Sequence, residues 1–239
     1  MRIFLAVRLA AAIDPVVVSL FGESGCPDTT AFIFGPLQAA EKALGTGSDV
    51  FRLEWTPFGN AYYITKECGG VPAPPGCSSS STCRYSSQVR DCYFKRCGLG
   101  GAGAPDCYSP GPLHCQHGAA ECFANRLEAC ATVKEPSSSW MVSRCIEEAF
   151  YKGELRNGQS SDHVTAVAVR CGFSASLQQW CTSNGDGALA AMAKMTPPHP
   201  GVPYVLVNGE VLADLNSLLE KICEAYEGPA PAGCMGLEV

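Results

Sequence analysis

The chain has no C-x-x-C pair, no run of basic residues, no long apolar stretch and no N-x-S/T sequon. Each absence removes a class of protein. Zinc knuckles need closely spaced ligand pairs, and the shortest cysteine spacing here is that from Cys92 to Cys97, so spacing predicts no metal. The 17 Lys and Arg against 23 Asp and Glu leave a net charge of -6. With no basic stripe to neutralise phosphates, nucleic acid is set aside as a partner. No segment reaches the roughly 18 apolar residues of a membrane span. Without a sequon, glycan-based sorting has no support in the sequence.

What the chain does have is cysteine, 15 in 239 residues. So many thiols would be an oxidation liability in a reducing compartment, which points to an oxidising lumen. Hydrophobic residues at 46% against 17% charged are ordinary for one or two packed domains. The start, "MRIFLAVRLAAAID", carries a basic residue, an apolar stretch broken by Arg8, and three alanines before Ile13. Residues 1–14 are read as a weak or truncated signal segment, with an ordered N-terminal arm as the alternative.

"VVVSLF" at 16–21 reads as a buried strand, and Cys26 follows in the turn. Pro27 and Asp28 suit the first turn of a helix whose apolar face runs from Phe32 to Leu44, kinked at Pro36. "DVFRLEW" at 49–55 alternates as a half-buried strand. Residues 67–111 hold six cysteines among Ser-, Gly- and Pro-rich stretches and read as a long loop held by bridges. Helices are predicted around 117–133, 139–152, 162–171 and 185–195. "PYVLVNGEVL" at 203–212 is two short strands around Asn208-Gly209, a hairpin signal. The helix after it sets Leu215, Leu218, Leu219, Ile222 and Tyr226 on one face and stops at Gly228.

The order is β-α-β, a long interruption, then β-β-α. It predicts an α/β (α+β) chain with a thioredoxin-like fold, a helical insertion and a disulfide-rich loop. The halves are 15–66 and 197–239, the loop is 67–111, and the helical insert is 112–196.

One stretch is more specific. "CQHGAAECFANRLEAC", 115–130, sets Cys115, Gln116, His117, Gly118, Glu121, Cys122, Asn125 and Cys130 at fixed offsets. It resembles the signature of the gamma-interferon-inducible lysosomal thiol reductase family. The similarity extends to "PFGNA" at 57–61, "PPHPGVPYVLVNG" at 197–209 and the terminal pair Cys223 and Cys234. The resemblance implies a secreted or endolysosomal protein that reduces protein disulfides at acid pH. The family's C-x-x-C maps onto Cys26-Pro27-Asp28-Thr29, so the second cysteine is Thr29.

Eight cysteines fall in the family-like region (115, 122, 130, 145, 171, 181, 223, 234) and six in the loop (68, 77, 83, 92, 97, 107), which leaves Cys26 over. Local spacing suggests Cys223 with Cys234 and Cys171 with Cys181, while the loop cysteines are free to pair among themselves. Cys26 is read as the nucleophile, its thiolate stabilised by the helix start and by a hydrogen bond from Thr29; a buried, inert thiol is the alternative. At an unperturbed pKa, only about one thiol in three thousand is ionised at pH 5, so action at acid pH demands a lowered value. Pro203 matches the cis-proline position of thioredoxin-like proteins, which would leave the Val202 backbone to pair with substrate. His117 is read as fixing the start of its helix rather than moving protons, and Gln116, Glu121 and Asn125 as capping and packing residues.

Two functions remain open. One is a monothiol oxidoreductase acting on protein disulfides, with no cofactor except glutathione or another small thiol as reductant. The other is a redox-inactive subunit that contacts a protein partner through residues 67–111.

Overall fold

A computed structural model of the chain describes residues 13–45, 49–68, 86–98, 107–108 and 113–236. Strand β1 (Val16–Gly22) runs up the centre of a four-stranded sheet ordered β2-β1-β5-β6. Its neighbour β2 (Phe51–Pro57) is parallel, in register from Val16↔Phe51 to Gly22↔Pro57. A parallel pair needs a crossover. Here it is a continuous helical run: α1 (Pro27–Phe32), a π-helical segment (Ile33–Leu37) and α2 (Gln38–Leu44). Pro36 lies inside the π-helical segment, so the proline predicted to kink the helix instead widens it for one turn.

Strand β5 (Tyr204–Val207) closes the other side of β1, antiparallel, with Phe21↔Tyr204 and Val18↔Val207 in register. It turns through Asn208 (φ 48°) and Gly209 (φ 85°) into β6 (Glu210–Val211), the tight hairpin expected of Asn-Gly. Helix α8 (Leu218–Ala225) follows, burying Leu218 and Ile222 completely and ending before Gly228. The core of this half joins Val18 and Leu20 of β1, Phe32, Ile33 and Leu37 of the crossover, Val205, and those two α8 side chains. The chain is thus a mixed α+β protein in which β-α-β and β-β-α halves share one sheet.

Between the halves lies a second core. Helices α4 (Ala119–Lys134), α5 (Pro136–Tyr151), α6 (Ser161–Arg170) and α7 (Ala175–Met195) enclose Leu127, Ile146, Val164, Phe173, Leu177 and Leu189. Helix α7 starts ten residues before the predicted 185, because Ser174 caps it by accepting from the Leu177 N–H (3.1 Å) and its Gly185 and Gly187 do not interrupt it. A two-stranded sheet, β3 (Tyr62–Tyr63) with β4 (Leu113–His114), lies against this core. The stretch read as a loop contains helix α3 (Ser87–Cys97), capped by Ser86 and burying Tyr93 and Phe94.

Six disulfides join described residues. Cys115–Cys122 staples the entry to α4, Cys130–Cys181 ties α4 to α7, and Cys145–Cys171 ties α5 to the end of α6. The local pairing of Cys171 with Cys181 is therefore wrong: Cys171, just past the end of α6, bonds to α5, and Cys181 on α7 bonds to α4. Cys223–Cys234 ties α8 to the terminal turn, and Cys68–Cys92 and Cys97–Cys107 anchor α3 at its middle and at its C-terminal end. Cys77, Cys83, most of the candidate signal segment and much of 69–112 fall outside the described residues. No helix among the described residues is long and apolar enough to cross a membrane.

Candidate functional site around Cys26

The chain leaves the C-terminal end of β1 through Glu23, Ser24 and Gly25 and enters α1 at Cys26, which occupies the N-cap position. This turn is held from the insert. The Ser24 N–H donates to Asn125 Oδ1 (2.8 Å), and the Ser24 hydroxyl donates to Glu128 Oε1 (2.7 Å). The Gly25 N–H points at Glu147 Oε2 across 3.4 Å. Gly25 itself has φ +74°, and a Cβ there would lie 2.7 Å from the Phe150 ring, so both backbone and space demand glycine. Helices α4 and α5 thus position the Cys26 turn of the other half of the molecule.

Glu23 is fully buried beside it. Its Oε2 accepts from the Asn60 N–H (2.7 Å), and its Oε1 stands 3.4 Å from His117 Nδ1. Gly59, at φ +57°, lets the two segments meet: a Cβ there would be 2.6 Å from Glu23 Cβ. Glu121 Oε2 takes both the His117 N–H (2.6 Å) and the ring Nδ1 (2.9 Å). Asn60 then gathers the remaining motifs. Its Nδ2 donates to Gln116 Oε1 (2.6 Å), while its Oδ1 accepts from Arg90 (2.9 Å) and lies 3.2 Å from His199 Nε2. Four separated stretches, around residues 26, 60, 117 and 199, therefore meet in one polar cluster.

The electrostatics of this cluster follow from burial. Desolvation, then the Glu121 charge, pushes Glu23 up to about 8 against the opposing Asn60 N–H. Glu121 is raised to about 8 by burial, and Glu128 to about 7 despite its bonds from Ser24 and Trp55. Burial and the neighbouring Glu128 charge hold Glu147 well above the usual carboxylate range. His199 is lowered by burial.

Cys26 is the one unbridged cysteine among the described residues and is only 5% exposed. Burial pushes its thiol up; the Thr29 backbone N–H opposes, and the Glu23 charge adds to the rise. This overturns the expectation of a thiolate stabilised by the helix start. The N–H groups of Thr29 and Asp28 do favour the thiolate, yet desolvation outweighs them. The Thr29 hydroxyl is buried and makes no sound hydrogen bond, so its help to the sulfur is the weaker part of what Thr29 contributes.

The Val202–Pro203 peptide is cis. The antiparallel register Phe21↔Tyr204 sets Pro203 level with Gly22, at the end of β1 from which the Cys26 turn departs. The Val202 backbone makes no hydrogen bond with any described residue. The other predicted residues divide. Asn125, Glu121 and His117 belong to the cluster, Gln116 and Gly118 shape the approach to α4, and Cys115, Cys122 and Cys130 are bridged. Sequence reading missed Glu23, Ser24, Asn60, Glu128, Glu147 and His199. A signal did exist for Glu128, which stands seven residues after Glu121 and so shares its buried helix face.

Residues 103–165 match the family model described as gamma interferon inducible lysosomal thiol reductase (GILT). The chain is similar to members of the gamma-interferon-inducible lysosomal thiol reductase family along most of its length. A thiol reductase of that name from Carassius auratus is 26% identical over 238 residues, covering 92% of this chain and 72% of that protein. GILT-like protein 1 of Drosophila melanogaster is 22% identical over 98% of this chain and 83% of its own length. The Mus musculus reductase is 31% identical over 48% of this chain and 46% of its own. The GILT match takes in all of α4 and α5, whose side chains hold the Cys26 turn, while Cys26 lies outside it.

Proposed function

We propose that the chain is a thiol–disulfide oxidoreductase of the GILT kind that works with a single active-site thiol, in an oxidising lumen of the secretory or endolysosomal pathway. The observation that carries this is the position of Cys26, unbridged at the N-cap of α1 with Val202–Pro203 at the same end of the sheet. The family's relatives bear the name thiol reductase, and the six bridges suit an oxidising compartment.

The chemistry is a two-electron exchange. The Cys26 thiolate attacks one sulfur of a protein disulfide, forming a mixed disulfide and expelling the other sulfur as a thiolate that takes a proton from water. Thr29 has no sulfur to resolve it. A small thiol such as glutathione attacks the Cys26 sulfur, releases the second substrate thiol and leaves Cys26 bonded to the small thiol. A second small thiol then frees Cys26, so one substrate disulfide is reduced for one small-molecule disulfide formed. An extended substrate segment is accommodated along Val202, whose backbone is unpaired among the described residues.

The test is to incubate the protein with a disulfide-bonded substrate without small thiols and map adducts by mass spectrometry. A substrate adduct on Cys26, absent in Cys26→Ser and discharged by glutathione, is expected. No adduct on Cys26, or equal reduction by Cys26→Ser, refutes the reading. One observation favours a second reading, a redox-silent family member that binds a protein partner through residues 67–111: the thiol is 5% exposed and held in its protonated form by burial.

A further inference from the structure

Beyond disulfide exchange, one set of side chains converges in a way that the thiol chemistry does not use. The Cys26 sulfur, a Glu23 carboxylate oxygen and a His117 ring nitrogen all lie within 4.8 Å of one another. Glu23 is fully buried, and its Oε1, aimed at His117 Nδ1 from 3.4 Å, has no hydrogen-bond partner. A buried carboxylate oxygen left without a donor is costly, and a positive ion is one way to satisfy it. The opposite oxygen is fixed by the Asn60 N–H at 2.7 Å, so Oε1 cannot turn to find another partner without breaking that bond.

We propose that Glu23, Cys26 and His117 form a three-ligand site for a zinc ion. The donor set selects the metal. One thiolate, one imidazole and one carboxylate are the ligands of zinc, whereas magnesium and calcium take oxygen almost alone. Ligand atoms around tetrahedral zinc stand about 3.4 to 3.6 Å apart, from Zn–S near 2.3 Å and Zn–N near 2.0 Å, so side-chain movements of about 1 Å close the site. Three protein ligands leave the fourth position to water, and the partly exposed His117 ring gives an entry path.

The cysteine spacing predicted no metal because these ligands are joined by the fold and not by the chain. Binding breaks the Cys26 S–H bond and, below about pH 8, the Glu23 O–H bond, forms Zn–S and Zn–O, and releases both protons to solvent with no change of oxidation state. The zinc-bound sulfur is then unavailable to attack a disulfide, so the ion acts as a reversible block on the thiol. The site does not depend on the oxidoreductase reading, since a redox-silent chain would still bind the ion.

The experiment titrates the full, disulfide-intact chain with cobalt(II) and zinc(II) and follows the thiolate-to-cobalt charge-transfer absorption, with circular dichroism to verify the fold of each variant. One equivalent of cobalt with that absorption is expected, displaced by zinc, together with zinc protection of Cys26 against iodoacetamide. Cys26→Ser should abolish the band, and His117→Gln and Glu23→Gln should each weaken binding at least about tenfold. The absence of a stoichiometric band overturns the proposal and leaves a cluster that shares protons only. A band that survives Cys26→Ser, or is unmoved by both His117→Gln and Glu23→Gln, overturns it equally. These outcomes are read without any disulfide substrate, so they are separate from those that test the oxidoreductase.

Discussion

Ser24, two residues before the free thiol, donates its hydroxyl to Glu128 of α4 across 2.7 Å of fully buried space. The other oxygen of the same carboxyl takes the indole N–H of Trp55 on β2, also at 2.7 Å. One side chain of the insert therefore clamps both the Cys26 turn and the neighbouring strand. Glu128→Ala should leave both donors buried and unpaired, at a cost of about 2 to 4 kcal/mol. Glu128→Gln, which keeps an acceptor for Trp55 and a donor for Ser24, should cost about 1 kcal/mol or less. Urea denaturation with disulfides intact measures both, and equal losses would show that the clamp is packing and not hydrogen bonding.

The buried carboxyls set a pH dependence of stability opposite to the usual acid denaturation. Glu23 and Glu121 are raised to about 8, Glu128 to about 7, and Glu147 is also raised. In the unfolded chain they titrate near 4.5, so between 4.5 and 8 the folded state holds more protons than the unfolded one. Stability from these groups is complete below 4.5 and is lost as pH rises through 7 to 8. His199 and His114, both lowered from 6.5 by burial, act in the other direction as pH falls below that value. Four carboxyls against two histidines predict a higher Tm at pH 5 than at pH 8, by several degrees. Thermal scans across that range check it, and a flat or rising profile would mean that the carboxyls are solvated.

Much of this architecture is legible in the sequence because it rests on local periodicity. "VVVSLF" and "VNG" mark a central strand and a hairpin whatever surrounds them. The site is less legible because its parts are polar residues with no period. Asn60 sits in a short connection, yet it binds Gln116, Arg90 and the Glu23 carboxylate. Its importance exists only once three distant segments are packed. The Cys26 thiol shows the same limit: sequence displays the helix start that favours ionisation, but not the burial that outweighs it.

Burial and a raised pKa together predict a sluggish thiol. Because the folded value lies above that of a free cysteine, the thiolate fraction at any pH up to 9 is smaller than in the unfolded chain. Iodoacetamide should therefore modify Cys26 at least about tenfold more slowly in the native protein than in urea at pH 7, with a rate still climbing above pH 9. Quantified peptide mapping of Cys26 gives the rates. A native rate matching or exceeding that in urea would show a sulfur more open and more acidic than its surroundings indicate.

The disulfides that hold the insert should differ in worth by loop length. Cys130–Cys181 spans 51 residues and Cys115–Cys122 spans 7. In the chain-entropy account their removal costs about 4 and about 2 kcal/mol. Double Cys→Ala variants compared by denaturant unfolding test this order. The longer bridge also joins α4 to α7, so its loss should loosen the helix carrying Asn125 and Glu128 and speed alkylation of Cys26, whereas losing the shorter one should act mainly at His117.

On the proposed monothiol reading, Thr29 stands where a resolving thiol would serve. Thr29 is fully buried three residues after Cys26, in the first turn of α1, and a cysteine side chain fits the volume of threonine without crowding. Thr29→Cys supplies a resolving thiol, so the mixed disulfide can collapse internally and release the substrate without waiting for a small thiol. Disulfide reduction, assayed at limiting glutathione, should rise at least about tenfold over the native chain. Adding excess glutathione should narrow that gap, because it speeds only the monothiol cycle. If Thr29→Cys gains nothing while the Cys26 adduct still forms, the chain has lost more than a resolving thiol. The cause would then be the desolvated, protonated sulfur, and Glu23→Gln, which removes the adjacent charge, should raise the rate of adduct formation above pH 8.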